Sequence, residues 1–182
     1  MTTQENTTIT PHSVPTHYQG TTQKGFQGGK NKVIELFNTL HSVDFLHELV
    51  EQVLPLQTAQ WFALDCAKFV LPRFEEQYPS DKRVSNCIEV TESYLKVKSN
   101  LKPLSIAAPD ARNVYSAAYS ALDAADAAGL SAAYAVHYAG LSAARYGAAA
   151  AAYAGTAAYA ATSKDEMQAF IKHWIDQYFN TK

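Results

Sequence analysis

The sequence predicts an all-α protein, a single-domain helical bundle of about six or seven helices with an Ala-rich antiparallel helix hairpin. Apolar side chains recur at spacings of three and four residues, and no stretch shows the alternation of a half-buried strand. The segment from Ala107 to Thr162 contains 26 Ala and 7 Tyr among its 56 positions. Because Ala loses no side-chain entropy in a helix, we expect the strongest helical preference in this segment.

The chain divides into a flexible N-terminal arm, residues 1–30, and a helical domain, residues 31–182. The arm is rich in Thr, Gln and Gly and has few large aliphatic side chains, so burial cannot offset the entropy lost on ordering. Two short helices are predicted next, with a break at His41 and Ser42. Pro55 ends this unit.

Three helices can be placed around the remaining turn signals. The first is predicted over Thr58–Gln77 and contains Pro72, which we expect to kink it or to end its first half. The second is predicted over Asp81–Val97, with Asp81 as its N-cap. The last follows a capping box formed by Ser163 and Glu166.

The Ala-rich segment itself is predicted to form two helices, Pro109–Ala128 and Leu130–Ala161, with a turn at Gly129. A turn this short makes the two helices antiparallel neighbours, and counting outward from it places His137 beside Asp123. We therefore expect a contact between these two side chains.

In projection, the second Ala-rich helix divides into a mixed face, a tyrosine face and a small-residue face. Small residues at this spacing let two helix backbones approach closely. The mixed face consists of Leu130, Tyr134, His137, Leu141 and Arg145. The tyrosine face consists of Tyr138, Tyr146 and Tyr153, and the small-residue face consists of Ala133, Gly140, Ala144, Gly147 and Ala151.

Two interpretations of these faces remain open at this point. The mixed face can be core, with Arg145 at its edge. Alternatively, the tyrosine hydroxyls converge with His137 and Arg145 on a partner or ligand, because Tyr and Arg are enriched at binding hot spots. The candidate binding residues are then Tyr134, His137, Tyr138, Leu141, Arg145, Tyr146 and Asp123.

Composition excludes several classes of function. The net charge is -2 and no basic patch stands out, so nucleic acid is not expected as a partner. No secretory signal and no clean apolar span is visible, so we expect a cytoplasmic protein that does not contact membranes. Cys66 and Cys87 form no CxxC pair, which favours partly buried thiols in a reducing compartment.

No sequence motif indicates catalysis or metal binding. The segment Gly25–Lys30 lacks the spacing of a phosphate loop, and His47 has no second His at the spacing of a zinc-protease helix. Instead, His47 belongs to a solvated acidic helix face. Asp65 lies one turn after Trp61 and is expected to accept a hydrogen bond from a neighbouring helix. We expect no enzymatic activity, no cofactor and no bound metal.

Two blocks, Trp61–Glu75 and Tyr78–Arg83, resemble the helical, Ala-rich immunity-protein family of bacterial polymorphic toxin systems. The family pattern is Trp, then Asp-Cys-Ala, Val-Leu-Pro and Phe-Glu, then a Tyr-Pro-x-Asp-x-Arg turn before an Ala-rich half. The similarity covers about Leu54 to Ala161, and Val84 stands where the family usually has Pro. The matching positions are Trp61, Asp65, Cys66, Pro72, Phe74, Glu75, Pro79, Asp81 and Arg83.

The resemblance implies a non-catalytic binding protein that neutralises a toxin or nuclease effector by direct binding, with a protein as its partner. The alternative is a phage-type inhibitor of a bacterial defence system. Such an inhibitor would bind a defence protein or sequester a small signalling nucleotide, since Tyr, His and Arg can stack on a base and meet a phosphate. A third possibility is a homo-oligomer formed through the small-residue face.

Overall fold

The computed structural model describes residues 29–39, 42–100, 108–128, 131–143 and 147–180. These residues form eight α-helices and a π-helical segment, Leu49–Val53, and they contain no strand. The all-α prediction is confirmed, with one or two helices more than expected. The predicted arm lies outside the described residues except at its end, where Gly29 opens the first helix. The helices are α1 Gly29–Thr39, α2 Ser42–Glu48, α3 Leu56–Gln77, α4 Arg83–Asn100, α5 Ala108–Ala128, α6 Ser131–Leu141, α7 Gly147–Ala160 and α8 Lys164–Asn180.

Helix α3 is the central element and packs against α4, α6 and α7. Its large side chains Trp61, Phe62 and Phe74 are almost completely buried. The ring of Phe62 meets that of Trp174 in α8 edge-on, with centroids 4.8 Å apart. Rings at this separation stabilise a core beyond the area they bury, so α3 organises the packing of the other helices.

Pro72 does not end α3, which continues to Gln77 as one helix. The side chains of Val70 and Phe74, on either side of it, are buried, whereas Pro72 itself is exposed. Packing of the flanking residues holds the helix together even though proline cannot donate the backbone hydrogen bond. The expectation that the first half of the helix would end here is wrong.

Helix α8 starts and docks as the sequence indicates. The Ser163 backbone N–H donates to Glu166 Oε2 over 2.8 Å, and the Glu166 N–H donates to Ser163 Oγ over 3.3 Å. This is the predicted capping box. Further along α8, Trp174 Nε1–H donates to Asp65 Oδ2 over 3.1 Å. The hydrogen bond expected for Asp65 is therefore confirmed, and it joins α8 to α3.

The second Ala-rich helix is not continuous, contrary to the prediction of one helix over Leu130–Ala161. It forms α6 and α7, and the rings of Tyr138 and Tyr153 lie 5.4 Å apart. Fifteen positions along one unbroken helix would separate these residues by about 22 Å, so α7 folds back beside α6. Gln60 of α3 donates from Nε2 to the Ser142 carbonyl over 2.7 Å, which satisfies an acceptor at the end of α6.

The described members of the small-residue face are consequently divided between two helices and lie inside the chain. Ala133, Gly140 and Ala151 are all buried, and a Cβ at Gly140 would lie 2.9 Å from Ala118 Cβ and 3.1 Å from Cys87 Sγ. These small residues let α4, α5 and α6 approach one another. The described part of this face is therefore not available as an oligomer interface.

None of the helices in the described ranges is long and apolar enough to cross a membrane.

Candidate functional site

A row of aromatic and imidazole rings crosses four helices. We call it the aromatic strip, and it consists of Tyr119 of α5, His137 and Tyr138 of α6, Tyr153 of α7 and His47 of α2. Consecutive ring centroids are 5.6, 5.0, 5.4 and 5.9 Å apart in that order. The strip exists because α7 folds back on α6 and α2 packs against α7.

The strip is exposed at two of its tyrosines and anchored in its middle. Tyr119 is 42% exposed and Tyr153 is 52% exposed. Tyr138 and His47 are half-buried, and His137 is buried. An exposed ring with a supported neighbour is held in place before a partner arrives, which lowers the entropy lost on binding.

His137 is the anchor of the strip. Its Nδ1–H donates to the Ala118 carbonyl over 2.7 Å, which fixes both the tautomer and the orientation of the ring. The expected partner, Asp123, is exposed and lies further along α5. The predicted contact between His137 and Asp123 is wrong by about one helical turn, because His137 meets α5 at Ala118 and Tyr119.

One end of the strip adjoins an acidic helix face. Asp44, His47, Glu48 and Glu51 follow the spacing i, i+3, i+4, i+7, and all four side chains reach the surface. His47 Nδ1 lies 3.4 Å from Glu51 Oε1, while the same imidazole meets the Tyr153 ring. We call Asp44, Glu48 and Glu51 the acidic face of α2, although Glu51 belongs to the π-helical turn that continues it.

The middle of the strip carries no formal charge of its own. Neither α6 nor α7 contains an Asp, Glu, Lys or Arg. At the other end, Asp123 lies one turn after Tyr119 and near Arg83. The pKa of the Arg83 guanidinium is raised, chiefly by hydrogen bonds to Asp81 and to a smaller extent by the charge of Asp123. Among the described residues, no Lys or Arg forms an ion pair with the acidic face of α2, which adjoins Tyr153 through His47.

The remaining candidate residues are distributed between interior and surface. Tyr134 is half-buried and Leu141 is buried, whereas Arg145 and Tyr146 lie outside the described residues. Two surface depressions, of about 710 Å³ at the start of α4 and about 370 Å³ between α4 and α5, are lined by none of these residues. The candidate residues that the structure brings together are His137 and Tyr138.

The described residues that match the immunity-protein pattern make contacts that stabilise the fold. Trp61 and Cys66 are buried in α3. Asp81 and Arg83 form a bidentate pair before α4, with Arg83 Nε 3.0 Å from Asp81 Oδ1 and the guanidinium also bound to Oδ2 over 2.6 Å. These hydrogen bonds lower the pKa of the Asp81 carboxyl. Asp81 also accepts the backbone N–H of Arg83 over 3.0 Å, so it caps the helix as predicted.

The two cysteines are more deeply buried than expected. Burial raises the pKa of the Cys66 thiol well above its ordinary value and that of Cys87 to about 12. Both side chains therefore stay protonated at neutral pH and are poor nucleophiles and poor metal ligands. Within the described ranges, no three His, Cys, Asp or Glu side chains lie close enough together to hold a metal ion.

The comparison with protein families identifies the chain. The model of the family described as "Imm-5 like putative immunity protein" matches residues 49–179. The chain belongs to this family. The family match includes α3 to α7 and most of α8, and therefore Tyr119, His137, Tyr138 and Tyr153, whereas His47 lies just before it. No curated protein and no solved structure shows significant similarity to the chain.

Sequence reasoning does not include three members of the strip in the candidate site: Tyr119, Tyr153 and His47. The helical projection places Tyr153 on the tyrosine face but not in the candidate site, and the sequence pattern assigns His47 only to a solvated face. Their meeting depends on the break between α6 and α7. Gly140 and Gly147, which flank that break, are the sequence signal that favours a turn there.

Proposed function

We propose that this protein is a non-catalytic immunity-type inhibitor that neutralises a toxin or nuclease effector by binding it directly in the cytoplasm. The observation that carries the proposal is membership of the immunity-protein family, over residues 49–179. A non-catalytic role is consistent with two observations. The cysteines are buried and protonated, and the described family-matched residues make contacts that stabilise the fold.

The aromatic strip is the proposed contact surface for the toxin. Tyr is enriched at binding hot spots because its ring buries a large area with few rotatable bonds and its hydroxyl can still hydrogen-bond. Tyr119 and Tyr153 are two of the most exposed large apolar side chains in the described residues. They are also joined by supported rings, unlike an isolated surface tyrosine.

The charges near the strip do not favour the alternative of a sequestered signalling nucleotide. Asp44, Glu48 and Glu51 would repel a phosphate placed beside Tyr153. Inhibition of a defence protein remains compatible with the same surface, and identification of the bound protein separates it from toxin neutralisation.

The proposal is tested by expressing the toxin encoded beside this gene, with and without this chain, and by measuring growth and complex formation. We expect growth to be restored and a stable complex to be recovered by size-exclusion chromatography. If the chain restores no growth and binds no such protein, or if no toxin gene lies beside it, the proposed function is wrong.

A further inference from the structure

We propose that the aromatic strip and the acidic face of α2 together bind an arginine-bearing, positively charged segment of the partner protein. This inference rests on the proposed function and deepens it by specifying the chemistry of the partner. It concerns the end of the strip where Tyr153 and His47 meet and where the acidic face begins.

Acidic residues outnumber basic ones at this end of the strip. Residues 42–53 contain Asp44, Glu48 and Glu51 but no Lys or Arg. Among the described residues, the ion pair of this face is His47–Glu51, whose His carries charge only when it is protonated. The neighbouring α7 supplies no cation, since it contains no charged residue. Since no described Lys or Arg forms an ion pair with this face, a bound partner can supply a complementary positive charge.

This end of the strip combines aromatic rings with carboxylates. A guanidinium can lie over an aromatic face while its N–H groups reach carboxylate oxygens, because it is planar and presents several donors in fixed directions. At Tyr153 the ring is 52% exposed, and His47 links it to Glu51. A Lys ammonium offers a compact charge and fits such a mixed surface less well.

Elsewhere in the chain, an Arg side chain lies over an aromatic ring and binds a carboxylate. Arg73 lies over the Phe69 ring, 5.9 Å from its centroid, while its guanidinium donates to Glu166 over 2.7 Å. This intramolecular contact combines a ring, a guanidinium and a carboxylate. The strip provides the ring and the carboxylates on the surface, and the partner would provide the guanidinium.

The binding test uses three capped heptapeptides that alternate Gly with Arg, Lys or Glu, titrated into the full-length chain and followed by NMR of the Tyr and His rings. We expect the Arg peptide to shift the resonances of Tyr153, His47 and Tyr138. The Lys peptide should bind about two- to fivefold more weakly, the size of an exposed cation–π contribution. The Glu peptide should leave these resonances unchanged, and raising the salt concentration should weaken Arg-peptide binding.

Two variants test the assigned residues. Tyr153→Ala should weaken Arg-peptide binding by about two- to fivefold, and Asp44→Asn/Glu48→Gln/Glu51→Gln by a similar or larger factor at low salt. The matched controls are Tyr78→Ala, an exposed tyrosine away from the strip, and Glu76→Gln/Glu89→Gln/Asp165→Asn, three exposed carboxylates on α3, α4 and α8. Both controls should bind the peptide like the unmodified chain.

Several results would overturn this inference. One is an Arg peptide that causes no shift at Tyr153 and His47, and another is equal shifts from the Arg and Glu peptides. A third is ADP-ribose shifting the strip when the Arg peptide does not, which would favour the nucleotide alternative. If the chain neutralises its toxin and the Asp44, Glu48 and Glu51 variant does so equally well, the cationic-partner inference fails while the proposed function stands.

Discussion

The region around α3 and the Ala-rich region of α5 to α7 differ in the size of their buried side chains. The buried side chains of α3 include large aromatic rings, whereas those of α5 to α7 are mostly small. In α3 the buried positions include Trp61, Phe62 and Phe74. In α5 to α7 the buried positions are mostly Ala, and a Cβ at Gly140 would already be too close to Ala118. One region is stabilised by bulky side chains and the other by close backbone approach.

This difference explains where the tyrosines lie. Helices that approach through Ala and Gly leave little interior volume for rings, so the aromatic side chains of α5 to α7 lie at or near the surface. Tyr119 and Tyr153 are the most exposed of those described. Burial of large side chains therefore dominates stability around α3, whereas the tyrosines of the Ala-rich region remain available for binding.

The largest expected effect tests whether stability is concentrated around α3. Trp61→Ala should lower the free energy of unfolding by about 3–5 kcal/mol, the usual cost of removing a large buried aromatic side chain. Tyr153→Ala should cost less than about 1 kcal/mol, because the ring is half in solvent. Urea denaturation of both variants measures the two values, and equal losses would contradict the contrast between the regions.

A smaller effect on stability is expected when each of two glycines inside helices is replaced by Ala. Gly→Ala within a helix ordinarily stabilises by about 1 kcal/mol. At Gly155 the new Cβ would lie 3.4 Å from a Leu46 methyl, so Gly155→Ala should be neutral or stabilising. At Gly140 the same change meets Ala118 Cβ at 2.9 Å, and we expect it to destabilise by about 1–2 kcal/mol. Chemical denaturation of the pair decides the question; a stabilised Gly140→Ala would show that α5 and α6 are not closely packed.

The smallest effect concerns the start of α8, which packs against both regions. Hydrogen bonds from the Ser163 backbone and hydroxyl, together with Arg73, lower the pKa of Glu166 in the folded state. The unfolded state therefore binds more protons as the pH falls towards and below the ordinary Glu pKa of 4.5, so this contribution to stability is present at neutral pH and lost in acid.

Glu166→Gln should accordingly show a shallower loss of stability than the unmodified chain between about pH 6 and pH 3. Ser163→Ala removes the capping hydroxyl, so it should reduce the slope in the same direction and lower stability at neutral pH by about 1 kcal/mol. Thermal unfolding across this pH range measures both. Identical slopes for all three proteins would exclude a role for this carboxylate.

Most of the fold could be predicted from local signals. The capping box at Ser163, the cap at Asp81 and the hydrogen bond to Asp65 all follow from residue type and helical spacing. Pro72 shows where such signals fail, because tertiary packing of Val70 and Phe74 overrides the local preference of proline. At the break after α6, Gly140 and Gly147 favour a turn, but the hydrogen bond from Gln60 of α3 to the Ser142 carbonyl joins residues 82 positions apart, and no local pattern indicates it.

The candidate site was predictable only in part, for a related reason. His137 and Tyr138 were found because adjacent positions on one helix can be read from spacing. Tyr153 and His47 join them through the fold-back of α7 and the packing of α2, and a projection onto one continuous helix places Tyr153 about 22 Å too far away. Residues that meet across several helices are set by tertiary structure.

The most direct test of the central claim is growth rescue by the double variant Tyr119→Ala/Tyr153→Ala against the toxin encoded beside this gene. The account predicts that the melting temperature falls by only a few degrees, as expected for about 1 kcal/mol in a chain of this size. Rescue should fall at least about tenfold, as expected when hot-spot side chains are removed. A double variant that rescues growth as well as the unmodified chain would contradict the assignment of the aromatic strip as the binding surface.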